Sequence, residues 1–154
     1  RDSYSAVTPV IRYAEVLLSY LECLIESGQA IDQTVLNLTI NQVRGRADVK
    51  MPPVTETNSD KLRELLRNER RVELAFEGIR YWDLLRWKLA ETVLVGEVWG
   101  APYPKSTTYA GSTKFVDPTG HCRWYVGRRD FRNPQDYKWP IPLSEQNINP
   151  NLRE

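Results

Sequence analysis

The stretch ERRVELAFEGIRYWDLLRW, residues 69–87, puts charge where an amphipathic helix should be apolar. Leu62, Leu65, Val72, Phe76, Leu84 and Trp87 recur at helical spacing, so the segment is read as helix. Glu69, Glu73, Arg80 and Asp83 lie on or beside the same stripe. Few folds tolerate acids and arginines there, and three readings compete: a catalytic constellation, a metal site, or a structural network.

Glu69, Glu73 and Glu77 stand four residues apart and share one helix face. A carboxylate-bridged di-iron bundle needs Glu-x-x-His pairs from two helices, and the one histidine, His121, is far away in sequence. A glycosidase sets two carboxylates about 5–9 Å apart. Here Arg70, Arg71 and Arg80 would keep nearby carboxylates ionised rather than raise one to serve as an acid. Seven cationic and six anionic side chains in residues 59–87 also fit a solvated face of weak i,i+4 pairs. Yet these charges interleave with Val72, Phe76 and Trp87. The favoured reading is therefore a structural arginine–carboxylate network of Arg44, Glu69, Arg70, Glu73, Arg80 and Asp83, with Arg46 as another partner at the end of the second helix. No catalytic residue, metal ligand or cofactor is assigned.

The other segments set this helix in context. TPVIRYAEVLLSYLECLIESG opens with Thr8 as a cap and Pro9 at the first helical position, and Gly28 suits its stop. Val10, Ala14, Leu17, Leu18, Leu21, Leu24 and Ile25 form its apolar face. A second helix is predicted over 31–44, making an antiparallel hairpin with the first. Gly45 and Pro52-Pro53 break the chain into a loop. Ser59 or Asp60 starts a third helix running to about Phe76, Gly78 acts as cap or hinge, and a fourth helix covers roughly 79–90. The offset between the two helix pairs exceeds the ~34 residues of a tetratricopeptide repeat.

Residues 99–139 hold nine of the 16 aromatic residues among many Pro and Gly. They are read as long loops with one short hairpin around CRWYVG. The closing WPIPLSEQNINPNL is read as an extended segment and a helical turn capped by Ser144. Sugars bind aromatic faces with polar groups nearby, which makes Trp99, Tyr103, Tyr109, Trp124 and Tyr125 the candidate ligand-binding residues. Trp82 and Trp87 are assigned to the helical core. The basic GRRDFR, residues 127–132, is read as a solvated loop, and His121 is given no chemistry.

Composition narrows the class. The 154 residues suffice for one domain with a core. A net charge of +1 argues against a bulk nucleic-acid binder. No apolar run approaches the ~18 residues that span a bilayer. Cys23 falls in an apolar helical stretch, where buried free cysteine is common. Two cysteines and one histidine cannot supply four zinc ligands, and no disulfide is required. The start RDSYSAV has neither initiator Met nor export signal, so a fragment or excised domain of a longer chain is expected.

PVIRYAEVLLSYLECLIESG, INQVRGRAD, LRELLRNERRVELAFEGIRYWDLLRW and YKWPIPLSEQNINPNL follow one another in this order. Together they resemble the C-terminal part of the SusD/RagB family of nutrient-binding outer-membrane lipoproteins. The NERRVELAFEG block is the most specific, and residues 92–136 match poorly. The resemblance implies a mainly α fold of tetratricopeptide-like helical hairpins with long irregular loops. It implies a single C-terminal domain, with a helical scaffold at 8–91, an aromatic loop-rich segment at 92–138 and a closing segment at 139–154. It places the charged block in the scaffold. It further implies capture of glycan or peptide at the cell outer membrane and delivery to a SusC-type TonB-dependent transporter, without cleavage. The lipid anchor would sit on an N-terminal cysteine outside this sequence, since Cys23 is mid-helix. The alternative is a helical-repeat scaffold that binds protein without touching nutrient.

Overall fold

The structure, a computed structural model, describes residues 10–102 and 116–152. The fold is mainly α. The chain divides into two compact units, Arg1–Arg80 and Tyr81–Glu154.

The first unit holds α1 (Tyr13–Glu26), α2 (Gln33–Leu38), α3 (Ile40–Arg44) and α4 (Ser59–Glu73). α1 packs against α2, α3 and α4. Its buried line, Ala14, Leu17, Leu18, Leu21 and Ile25, follows the three-and-four spacing of one helix face. Leu36, Ile40, Val43, Val54, Leu62 and Leu66 complete the core. The expected start at Thr8 and Pro9 lies outside the described residues. α1 begins at Tyr13, because Arg12 keeps an extended backbone (φ −107°, ψ 151°) while its side chain reaches Glu73 and Glu77. Val10 is solvent-exposed rather than part of the apolar face.

α1 stops where Gly28 was expected to stop it. The Gln29 amide donates to Leu24 O and the Gly28 amide to Ile25 O, each at 3.1 Å, with Gly28 at φ 71°. That is the double bond of a Schellman ending, which needs a left-handed residue. The single helix expected over 31–44 is instead broken at Thr39 (φ −124°, ψ −101°). The Thr39 hydroxyl donates back to Val35 O at 2.7 Å, a bond that competes with the helical ladder. The loop before α4 is tied down by Asn41, whose amide both accepts from Val54 N (2.7 Å) and donates to Val54 O (3.0 Å).

Asn58 caps α4, accepting from Lys61 N at 3.2 Å. The buried line of α4 is Leu62, Leu66 and Arg70, and Leu74 is buried just beyond its end. Leu62 is buried as expected, but Leu65 and Val72 point to solvent, and Leu66 and Arg70 take the buried side in their place. The helix ends at Glu73 rather than Phe76, which is fully exposed with φ 65°. Cys23 is also exposed rather than buried, and both cysteines are free.

α5 (Ile79–Arg86) is followed by α6 (Ala90–Val93), where one helix over 79–90 was expected. The chain turns at Lys88 (φ 56°) between them. In the second unit, β1 (Gly96–Pro102) pairs antiparallel with β2 (Arg123–Arg129). The expected hairpin around CRWYVG is thus one strand of this pair, and its partner lies more than twenty residues upstream. The register passes from Val98↔Gly127 to Trp99↔Tyr125, which leaves Val126 as a bulge. α7 (Leu143–Ile148) has Pro142 at its N-cap; Ser144 lies inside the helix and does not cap it.

Candidate functional site

Two clusters hold the residues singled out from sequence, one in each unit. In the first unit the charged side chains of α4 meet arginines from other elements. Arg44 Nη1 lies 2.5 Å from Glu69 Oε2, while its Nε donates to Pro52 O at 2.8 Å. Glu73 is held from two sides. Arg46 donates to both its oxygens at 2.6 and 2.9 Å, and Arg12 donates to Oε1 at 2.9 Å and to the backbone oxygen at 2.7 Å. Arg12 also forks onto Glu77, with its closest approach at 2.6 Å. Hydrogen bonds to Glu77 and then Glu73 outweigh desolvation and raise the Arg12 pKa still further, so the guanidinium stays charged. Arg70 is buried, donating to Ser19 Oγ at 2.9 Å with Glu22 at 3.9 Å. Asp83, in the second unit, accepts from Arg86 at 2.8 Å. Arg80 is half-buried at the end of the first unit.

Sequence reasoning missed Arg12, Glu22 and Glu77 in this cluster. Arg12 is 61 residues from Glu73, and no local spacing signals such a pair. Both carboxylates weighed for catalysis, Glu69 and Glu73, are ion-paired to arginine. Among the described residues no three His, Cys, Asp or Glu gather as a metal-binding group.

In the second unit Trp99 and Tyr125 face each other across β1 and β2, with ring centroids 5.2 Å apart and planes at 67°. This edge-to-face contact uses one ring's edge against the other's face. Trp99 Nε1 donates to Glu97 Oε2 at 3.2 Å. Trp124 adjoins Tyr125 in β2 and so projects from the opposite face of the strand, where it is exposed. Tyr103 and Tyr109 lie outside the described residues. The three described rings therefore share one sheet but not one face.

Asp117 shapes the turn before β2. Its Oδ1 accepts from the Thr119 hydroxyl (2.6 Å), Thr119 N (2.9 Å) and His121 N (2.9 Å), and Arg123 Nε stands 2.9 Å from its other oxygen. The Thr119 hydroxyl bond above all, then the backbone amides and Arg123, lowers the Asp117 pKa. Within GRRDFR, Arg128 pairs with Asp130 at 3.0 Å and Arg132 with Asp136 at 2.7 Å, so two of its three arginines are paired with acids.

A further aromatic surface was assigned to the core in sequence. Trp82 is 53% exposed, because Asp83 and Leu84 take the buried side of α5 and turn Trp82 outward. Its ring lies 6.3 Å from that of Trp139, with planes at 30°. Trp87 is half-buried, with the Arg86 guanidinium 4.8 Å from its ring centroid.

The SusD family model matches residues 1–154. Two SusD-like proteins of Formosa agariphila are 35% and 36% identical over 92 and 99 residues, covering 55% and 60% of this chain. The chain spans only 18% and 19% of their lengths. The crystal structure of a SusD-like carbohydrate binding protein from Bacteroides fragilis is 70% identical, with a TM-score of 0.87 over 95% of this chain and 28% of that one. A second SusD-like protein of that organism is 32% identical, with a TM-score of 0.62 over 90% of this chain and 24% of its own. With a match along its full length and neighbours that share its fold, the chain belongs to the SusD family.

Proposed function

We propose that this chain is part of a cell-surface nutrient-capture protein that binds glycan, or peptide, and hands it to a SusC-type TonB-dependent transporter. It acts at the outer membrane, held there by a lipid anchor on the longer polypeptide. The activity is binding, not catalysis. The family match over residues 1–154 carries this reading. The Bacteroides fragilis neighbour, described as a carbohydrate binding protein, favours glycan over peptide. Trp124 and Tyr125 are exposed and are suitable contacts, since an aromatic ring matches the C–H face of a sugar. The ion pairs of Arg12, Arg44, Arg46, Glu69 and Glu73 serve to hold the scaffold.

A glycan array and a peptide pool, applied to the chain and to its Trp124→Ala variant, test the reading. Glycan binding that weakens in the variant supports it. Peptide binding alone moves the ligand class, and no binding to either overturns direct capture by this chain.

One observation favours a second reading, a helical scaffold that meets protein. In the first unit a cleft of about 480 Å³ opens between α1 and α3, lined by Arg12, Tyr13, Ala14, Leu17, Gln42, Val43 and Arg46. Capture of the transporter from outer membranes by the chain, without glycan binding, would select this reading.

A further inference from the structure

We infer that Trp139, with Trp82 beside it, forms a second saccharide-binding platform at the mouth of the cleft lined by Asp136, Tyr137 and Lys138. The inference rests on the capture reading and deepens it by naming a site apart from the sheet rings.

Four observations meet here. Trp139 is 77% exposed, and Trp82 contributes a second ring 6.3 Å away at a 30° tilt. Tyr81 braces Trp82 edge-on, with centroids 5.6 Å apart. Next to Trp139 a cleft of about 250 Å³ is lined by Tyr81, Leu85, Asp136, Tyr137, Lys138, Trp139 and Pro140. Its size approaches the lower range of small-molecule sites.

The polar lining suits hydroxyls. Asp136 is anchored by Arg132, whose Nη2 and Nε reach Oδ1 at 2.7 and 3.1 Å, and whose backbone amide reaches Oδ2 at 2.7 Å. A carboxylate fixed in this way is a preorganised acceptor. Lys138 makes no ion pair among the described residues, so its ammonium is available as a donor. The Tyr137 hydroxyl has no hydrogen-bond partner among the described residues, and its ring is held by Lys88 Nζ at 4.3 Å from the centroid. An aromatic face beside a fixed acceptor and a cationic donor is the combination that orients a pyranose: stacking of its C–H face, and hydrogen bonds from its rim. Arg132, Asp136 and Lys138 together carry one net positive charge, so a uronate ring should bind at least as well as a neutral one.

The test is isothermal titration of the full chain with cellohexaose, xylohexaose and oligogalacturonate, run in parallel on Trp139→Ala, Lys138→Ala and Trp124→Ala. Trp139 is so exposed that its truncation should leave the melting temperature and circular dichroism unchanged, and both are measured as controls. The expected result is that Trp139→Ala weakens binding of a recognised oligosaccharide at least tenfold. Lys138→Ala should then weaken oligogalacturonate more than the neutral sugars. If binding survives Trp139→Ala at full strength but falls in Trp124→Ala, this platform is overturned while the capture reading stands. If the unaltered chain binds none of the three, this platform is overturned, and the glycan array and peptide pool decide the capture reading separately.

Discussion

Arg46 meets Glu73 with two parallel hydrogen bonds, Nη1 to Oε1 at 2.6 Å and Nη2 to Oε2 at 2.9 Å. Arg12 approaches the same carboxylate from the start of α1, so one acid at the end of α4 ties together two segments distant in sequence. The geometry is the planar fork that lysine cannot reproduce. The carboxylate is only 10% exposed, and its charge is tolerated there because both arginines complete its hydrogen bonds.

Glu73→Gln should therefore lower stability by about 3 kcal/mol, at the lower end of the loss for breaking a buried pair, because Arg12 and Arg46 keep part of their hydration. Thermal or urea unfolding of the chain reads this directly. An unchanged midpoint would show that the Glu73 pairs contribute nothing net.

The choice of Leu66 over Leu65 for the buried side of α4 has its own test. Leu66 is fully buried, so Leu66→Ala should cost about 2–5 kcal/mol through lost transfer energy and a cavity. Leu65→Ala, on the exposed side, should stay within about 0.5 kcal/mol. Equal losses at the two positions would contradict the observed register.

Two left-handed positions predict opposite signs. A Cβ at Gly28 meets nothing within 4 Å, so Gly28→Ala is penalised by backbone conformation alone, about 1 kcal/mol. Phe76 holds φ 65° with its ring in solvent. Phe76→Gly should remove that strain and leave stability unchanged or slightly higher, despite the greater entropy of the unfolded chain. Paired melting curves decide both.

The Asp117 turn predicts an acid-sensitive segment. Its pKa is lowered in the folded state, so its contribution is full above the unfolded value of about 3.9 and disappears as pH falls through the lower folded value. Carboxyl titration by NMR should place Asp117 below that reference, and Asp117→Asn should abolish the local acid transition. A titration at or above the reference would remove the argument.

Helical periodicity and stop signals were readable from local sequence. The line from Ala14 to Ile25, the ending at Gly28 and a helix starting at Ser59 depend on neighbours within four residues, and such neighbours are visible in a string. The side of α4 that faces the core was misread because Leu62, Leu65 and Leu66 satisfy two registers equally well. Packing against α1 chose Leu66 and Arg70, and an arginine in a buried line is something hydrophobicity alone ranks last.

What sequence by itself determined is the family, the mainly α class, the place of the α1 stop and the need of Glu69 and Glu73 for arginine partners. Arg44 and Arg46 were named from sequence as partners, but that Arg12 joins them was decided by tertiary structure, since Arg12 and Glu73 meet only when α1 docks near the end of α4. The same holds for β1, whose strand exists through hydrogen bonds to β2 across an intervening segment, and for Trp82 and Trp139, 57 residues apart. The physical reason is common to all three. A helix satisfies its backbone within four residues, whereas ion pairs, strand ladders and ring pairs draw their energy from partners that the chain brings together only by folding.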